Sequence, residues 1–270
     1  MALVLNDVSV SYGRHRIIDG LNTRIAAGRV TGLIGPNGSG KSTLIRAIAG
    51  VHPHHGRIDL DGATGRELRH RTGYMPQDIP GNIALSALEA VIVASRRASS
   101  WRTSRSEADV AFSVLNDLGI GHLADRYLGE CSGGQRQLIS LAQTLVRTPE
   151  LVLLDEPTSA LDLRHQLRVL HRVNDYITAG NLTVTRPETD GTLARRPGVA
   201  LIALHDLNLA ARYCDDLLLL HHGKLIAHGP IRQVLKPDVL DSVYGINSRT
   251  IHNGERLMIV AEEREDPATP

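Results

Sequence analysis

The sequence predicts an α/β fold: a mixed sheet with flanking helices, an antiparallel β subdomain and an inserted α-helical subdomain. Three observations support it. Val30, Gly32, Leu33 and Ile34 form an apolar run of strand length; it leads into GPNGSGKST at Gly35 to Thr43, then into Leu44, Ile45, Ile48 and Ala49 at helical spacing. Leu151 to Leu154 and Val199 to Leu204 are continuous apolar runs, as expected of strands buried on both faces of a parallel sheet. Ser86 to Tyr127 is mainly helical in pattern between strand-rich flanks.

Leu3 to Val10 alternates apolar and polar residues and reads as a half-buried strand. Tyr12-Gly13 marks a turn, and Ile17 to Ile25 is the returning strand of the antiparallel subdomain. Tyr12 either supplies a flat ring for a nucleotide base or packs at a sheet edge. The glycine-rich turn that follows has the chemistry of a phosphate-binding loop. Gly35, Gly38 and Gly40 lack a Cβ, so the backbone can curl and aim several N–H groups at one polyphosphate. The helix N-terminus behind them adds partial positive charge. Lys41 can reach the β- and γ-phosphates, and the Ser42 hydroxyl can ligate Mg²⁺. This predicts a P-loop core that binds a nucleoside triphosphate.

Gly56 to Leu60 is a strand closed by the Asp61-Gly62 turn; Thr72 to Met75 is another, ended by Pro76 and followed by Gln77. Leu85 to Val93 predicts a packed helix. Ser104 and Glu107 form a capping box ahead of Val110, Ala111, Val114, Leu115 and Leu118. Cys131 to Gln135 then opens a helix whose buried face is Leu138, Leu141, Ala142, Leu145 and Val146. A serine and two glycines ahead of a helix are either a second anion-binding terminus or an ordinary N-cap turn.

Leu151 to Leu154 delivers Asp155 and Glu156 at the C-terminal end of a buried strand, where ligands bind in open α/β sheets. There Asp155 would hold Mg²⁺ and Glu156 would orient or deprotonate an attacking water. Pro157 breaks the strand and Ser159 to Asp162 forms a loop. Leu163, Leu167, Leu170, Val173 and Ile177 give the next helical stripe, and the strand Val199 to Leu204 ends at His205. Val234 and Leu235, then Val239, Leu240 and Val243, predict short closing helices, and Ile251 with Leu257 to Val260 a hairpin. Residues 263–270 are charged and Pro-containing and are expected to be a disordered tail.

At 270 residues with 42% hydrophobic and 22% charged residues, the composition is ordinary for a globular chain. A net charge of +1 gives no electrostatic case for a nucleic-acid partner. No apolar run reaches the roughly 18 residues of a membrane span, and MALVLNDVSV lacks the basic segment of a signal peptide. Cys131 and Cys214 make neither a disulfide framework nor a metal site, and both are expected as reduced thiols in the cytosol.

With Gly35–Thr43, Gln77, Cys131–Gln135, Leu151–Glu156, Ser159–Asp162 and His205 in this order, the sequence resembles the ATP-binding cassette (ABC) ATPases. The resemblance implies one ABC ATPase domain over residues 1–262, with a helical subdomain at about 86–128 that continues through a signature helix at 132–147. It implies ATP and Mg²⁺ as ligands. Tyr12 matches the aromatic that stacks on adenine. Gly35, Asn37, Gly38, Ser39, Gly40, Lys41, Ser42 and Thr43 match the Walker A loop. Gln77 matches the Q-loop glutamine that touches Mg²⁺ and senses the membrane partner. Ser132, Gly133, Gly134 and Gln135 match the signature, Asp155 the Walker B aspartate and Glu156 the catalytic glutamate. Asp162 matches the D-loop and His205 the switch histidine.

Cassettes of that family pair head to tail, each ATP lying between one Walker A loop and the other chain's signature. The resemblance therefore implies a second cassette, most simply a homodimer. It further implies two transmembrane permease subunits, an extracytoplasmic substrate-binding protein acting indirectly, and a peripheral place on the cytoplasmic face of a bacterial membrane. The Gln77 to Leu88 region, with Ile79, Ile83 and Leu85, is the expected permease contact. YMPQ at Tyr74–Gln77, PTSALDLRHQ at Pro157–Gln166, LHDLNLAARYCD at Leu204–Asp215 and GPIRQVLKPDVLDSVYGI at Gly229–Ile246 resemble importers of ferric siderophores, haem and cobalamin. Zinc and manganese importers are the nearest alternative. A soluble, non-transport cassette ATPase is the alternative from another class, but this chain lacks the paired cassettes or coiled-coil insertion such proteins carry.

Two positions depart from the family pattern. Cys131 stands where leucine usually heads the signature; it is either a small buried hydrophobe or, at a helix N-terminus, an activated thiol. Asn181 to Gly198 lengthens a normally short connection, and its polar, Pro- and Gly-containing sequence predicts a surface loop whose NLT triplet carries no sugar in the cytosol.

Overall fold

The structure, a computed structural model, describes residues 1–78, 84–96, 105–178, 197–254 and 256–263. The expected Ser104 capping residue, Ile79 and Ile83, most of the connection before the His205 strand, and residues 264–270 lie outside the described residues.

Alternation in β1 (Ala2–Tyr12) buries Leu3, Leu5, Val8 and Val10. β1 pairs antiparallel with β2 (His15–Ala26) on one side and β4 (His55–Leu60) on the other, forming a three-stranded sheet. β3 (Arg29–Ile34) runs into the glycine-rich loop and lies inside a six-stranded sheet of order β5-β6-β7-β3-β8-β9. Its other strands are β5 (Thr72–Met75), β6 (Leu151–Asp155), β7 (Val199–Ala203), β8 (Asp216–His221) and β9 (Lys224–Pro230). All neighbours are parallel except β9, which returns antiparallel to β8.

β6 and β7 are buried at every position because both faces are covered. Leu151 and Leu153 of β6 share a core with Leu3 and Leu5 of β1 and with Leu44, Ile45 and Ile48 of α1 (Lys41–Ile48). Val152 and Leu154 face a second core. There they meet Leu138 and Leu141 of α5 (Gly133–Leu145) and Val169, Leu170 and Val173 of α6 (Leu163–Thr178). Burying each leucine contributes roughly 1.5–3 kcal/mol. A one-residue slip of β6 would exchange the two faces and carry Asp155 and Glu156 out of position.

α2 (Gly65–Arg71), not anticipated from the sequence, links β4 to β5. α3 (Ala87–Ser95) and α4 (Arg105–Asp117) pack with α5, and their buried residues are continuous with the core under the sheet. A reciprocal capping box does occur in this region, at Ser86 and Glu89: Ser86 Oγ accepts from Glu89 N and Glu89 Oε2 from Ser86 N. α7 (Leu207–Tyr213) packs on the hairpin of β10 (Ile246–Asn253) and β11 (Arg256–Glu263), with α8 (Ile231–Val234) and α9 (Pro237–Tyr244) between.

Two local expectations are corrected, and one hairpin is added. Leu163 does not belong to the buried stripe of α6: it is 66% exposed, and full burial begins at Val169 because the first turn of α6 stands clear of the sheet. The β8–β9 hairpin was not read from the sequence, although His222-Gly223 carries the signal. Both residues adopt positive φ (47° and 74°), the two-residue turn whose twist suits a tight hairpin. Glu263 ends β11 and is ordered strand, so the tail cannot include it. No helix among the described residues is long and apolar enough to cross a membrane.

Candidate active site

The loop between β3 and α1 is fixed by close approach. A Cβ on Gly35 (φ 148°) would lie 2.1 Å from the Leu220 carbonyl oxygen, so no side chain fits there. Lys41, the first residue of α1, is 5% exposed, and its Nζ donates to the carbonyls of Gly35 (2.7 Å) and Pro36 (3.1 Å). Burial pushes this ammonium below the ordinary lysine range, while the nearby Glu156 and Asp155 carboxylates pull it back up. Carbonyl partners of this kind are ones that phosphate oxygens, carrying full charge, would replace.

Parallel register assembles the rest. Met75 lies beside Leu154, and Asp155 beside Ala203, so the ends of β5, β6 and β7 present Gln77, Glu156 and His205 next to one another. Gln77 Nε2 donates to Glu156 Oε2 (2.8 Å), and His205 Nε2 contacts Glu156 Oε1. Glu156 has φ 52°, a left-handed conformation uncommon outside glycine that turns the chain sharply off β6. Gln77, which the resemblance expects near Mg²⁺, holds the Glu156 carboxylate through its amide.

Asp155 is fully buried. Its Oδ1 accepts from Ser42 Oγ at 2.8 Å, and its Oδ2 has no partner. Burial raises its pKa above the usual carboxylate range, against the lowering pull of Ser42, Arg46 and Lys41. A buried carboxylate oxygen without a donor is unusual. Beside a serine hydroxyl, it is the oxygen-only donor set that a hard divalent cation prefers, so these residues fit Mg²⁺.

Most of the expected site residues line two clefts; Gly35 and Asp155 line neither. Tyr12, Asn37, Gly38, Ser39, Gly40, Lys41, Ser42, Thr43, Gln77, Glu156 and His205 line one of about 800 Å³. Tyr12 is 43% exposed at its mouth, with its ring backed by His52 (centroids 4.2 Å apart). Ser132, Gly133, Gly134, Gln135 and Asp162 line another of about 550 Å³. Here Ser132 and Gln135 form a reciprocal capping box, and Asp162 Oδ1 accepts from His165 N (2.9 Å). The His165 contacts hold the Asp162 carboxyl below its usual range.

Cys131 is 4% exposed, its Sγ donates to the Tyr127 carbonyl (3.4 Å), and burial pushes the thiol pKa up. That is the inert alternative, not the activated one. Cys131→Leu is expected to leave ATP turnover within a few-fold, and labelling of the wild-type thiol at neutral pH should be slow. Rapid labelling that ATP blocks and that abolishes turnover would reverse this assignment.

Sequence reasoning missed Gln137. It is buried on α5 and hydrogen-bonded to Glu156 and Ala160. The available signal was a glutamine one turn before Leu141 on an apolar face, where a buried amide must find partners.

The family described as ABC transporter matches residues 18–159. The ferric enterobactin transport ATP-binding protein FepC of Escherichia coli is 32% identical, over 90% of this chain and 87% of its own. The hemin import ATP-binding protein HmuV of Bradyrhizobium diazoefficiens is 34% identical, over 94% and 91%. A solved inward-facing transporter described as of the metal-chelate type superposes with a TM-score of 0.77 at 25% identity, covering 97% of this chain and 98% of the other.

Proposed function

The chain belongs to the ABC transporter family as an ATPase subunit, and on that premise we propose that it energises bacterial uptake of an iron chelate: a ferric siderophore, ferric citrate or haem. The observation that carries the cargo is kinship over nearly the full length with proteins named for ferric enterobactin and hemin transport. Zinc, manganese and cobalamin import are the competing cargoes.

The cleft geometry supports a division of labour. The N–H groups of the Gly35–Thr43 loop and Lys41 hold the polyphosphate, and Tyr12 takes the base. Ser42 and Asp155 would hold Mg²⁺, which when bound neutralises charge on the β- and γ-phosphate oxygens. Glu156 is the general base that takes a proton from the attacking water; Gln77 and His205 orient its carboxylate from either side. The second cleft, with Ser132 to Gln135 and Asp162, receives the triphosphate held by a second copy of the chain. ABC ATPases work with permease subunits, and no helix among the described residues is long and apolar enough to cross a membrane. The chain's work is therefore delivered at the cytoplasmic face to two permeases fed by a substrate-binding protein.

Disrupting the gene and supplying one iron source at a time tests the cargo. Uptake of an iron chelate should fail while growth on ample inorganic iron persists. Normal use of every iron source, with loss of zinc, manganese or cobalamin uptake, would sink the cargo assignment and leave the ATPase standing.

A further inference from the structure

One buried carboxamide lies between the two clefts. Gln137, on α5, is 2% exposed. Its Nε2 donates to the Glu156 carbonyl at 2.9 Å and lies 3.4 Å from Ser159 Oγ, and its Oε1 accepts from Ala160 N at 3.2 Å. Ser159 Oγ donates to the same Glu156 carbonyl at 3.1 Å. The first turn of α5 lines the second cleft together with Ala160 and Asp162, and the Glu156 side chain lines the first. Contact between α5 and the loop is close: a Cβ on Gly134 would lie 2.9 Å from the Ala160 carbonyl oxygen. The chain from Glu156 to Ala160 is thus fastened to the helix whose N-terminus opens the other cleft.

We propose that Gln137 is a positioning residue that couples the two nucleotide clefts. A triphosphate seated against Ser132 to Gln135 displaces the start of α5. Gln137 passes that displacement to the backbone of Glu156, whose carbonyl oxygen is two bonds from its Cα. The angle of the Glu156 carboxylate toward Gln77 and His205 is set in this way. Hydrolysis in one cleft then depends on occupancy of the other. The inference rests on the ATPase assignment and on the pairing of two copies described above.

The test compares the wild-type chain with Gln137→Met, which keeps side-chain length and volume and removes the hydrogen bonds to Glu156, Ser159 and Ala160. Wild-type turnover, measured first, tests the ATPase assignment by itself. Since small misplacement of a reacting group is costly, kcat is expected to fall about 10- to 100-fold. The Hill coefficient for ATP should fall to about 1. KM and ATP affinity should stay close to wild type. Gln137→Glu, which keeps an acceptor for Ala160 N but sets a carboxylate oxygen against the Glu156 carbonyl, should show the same losses and serves if the methionine variant does not fold. Wild-type kcat and cooperativity in a variant that only melts lower would reduce Gln137 to packing and overturn the proposal. A wild-type Hill coefficient of about 1 would overturn it too, with the ATPase assignment intact.

Discussion

Glu156→Gln is expected to bind ATP as the wild type does and to hydrolyse it about 10²–10⁴-fold more slowly, the span of a lost general base. The substitution is nearly isosteric, so the backbone bond from Gln137 and the left-handed turn at Glu156 remain. What disappears is the carboxylate that Gln77 and His205 hold at the cleft. With ATP held between two copies and no base to drive its hydrolysis, the variant should accumulate as an ATP-bound dimer. Equilibrium nucleotide binding, single-turnover kinetics and size-exclusion chromatography with ATP separate these effects. Turnover near the wild-type rate would remove Glu156 from the role, and weak ATP binding would place its function in the ground state.

Asp155→Asn should lower Mg²⁺-dependent turnover by at least about 10²-fold, the scale of losing one electrostatic stabiliser of the transition state. A second readout does not depend on turnover. Any ligand that binds only the native state stabilises it, by about 2.7 kcal/mol at a hundred times its Kd. Wild-type thermal stability should therefore rise further when Mg²⁺ is added to ATP. In Asp155→Asn the rise with ATP alone should persist while the Mg²⁺ increment vanishes. No large loss of stability is expected without nucleotide, because the fold buries a carboxyl group here whose Oδ2 has no partner. An undiminished Mg²⁺ increment would show that the cation is held elsewhere.

Much of the molecule was legible because its signals are local. The glycine-rich loop, the strand bounds Thr72 to Met75 and the run ending at Asp155 depend on contacts within a few residues, and the structure shows them where periodicity placed them. Where signals were short or mixed, the reading slipped. The β8–β9 hairpin rests on one short signal, His222-Gly223, and Leu163 shares the spacing of the α6 stripe but not its burial, because spacing alone cannot say where a helix begins to meet the sheet.

The sequence by itself determined which chemistry the chain carries: a phosphate loop, two carboxylates at a strand end, a capped glycine turn and a histidine after a buried strand. Each is specified by residue type at short spacing, which constrains backbone shape directly. Only the tertiary structure decided what meets what. The strand order β5-β6-β7 puts Gln77, Glu156 and His205 within reach of one another, and the fold places Lys41 and Ser132 in two different clefts. The same fold buries the Cys131 thiol and inserts Gln137 between those clefts. Such pairings are won by burial on both faces of a sheet, an energy shared among residues far apart in the chain, so no local pattern encodes them.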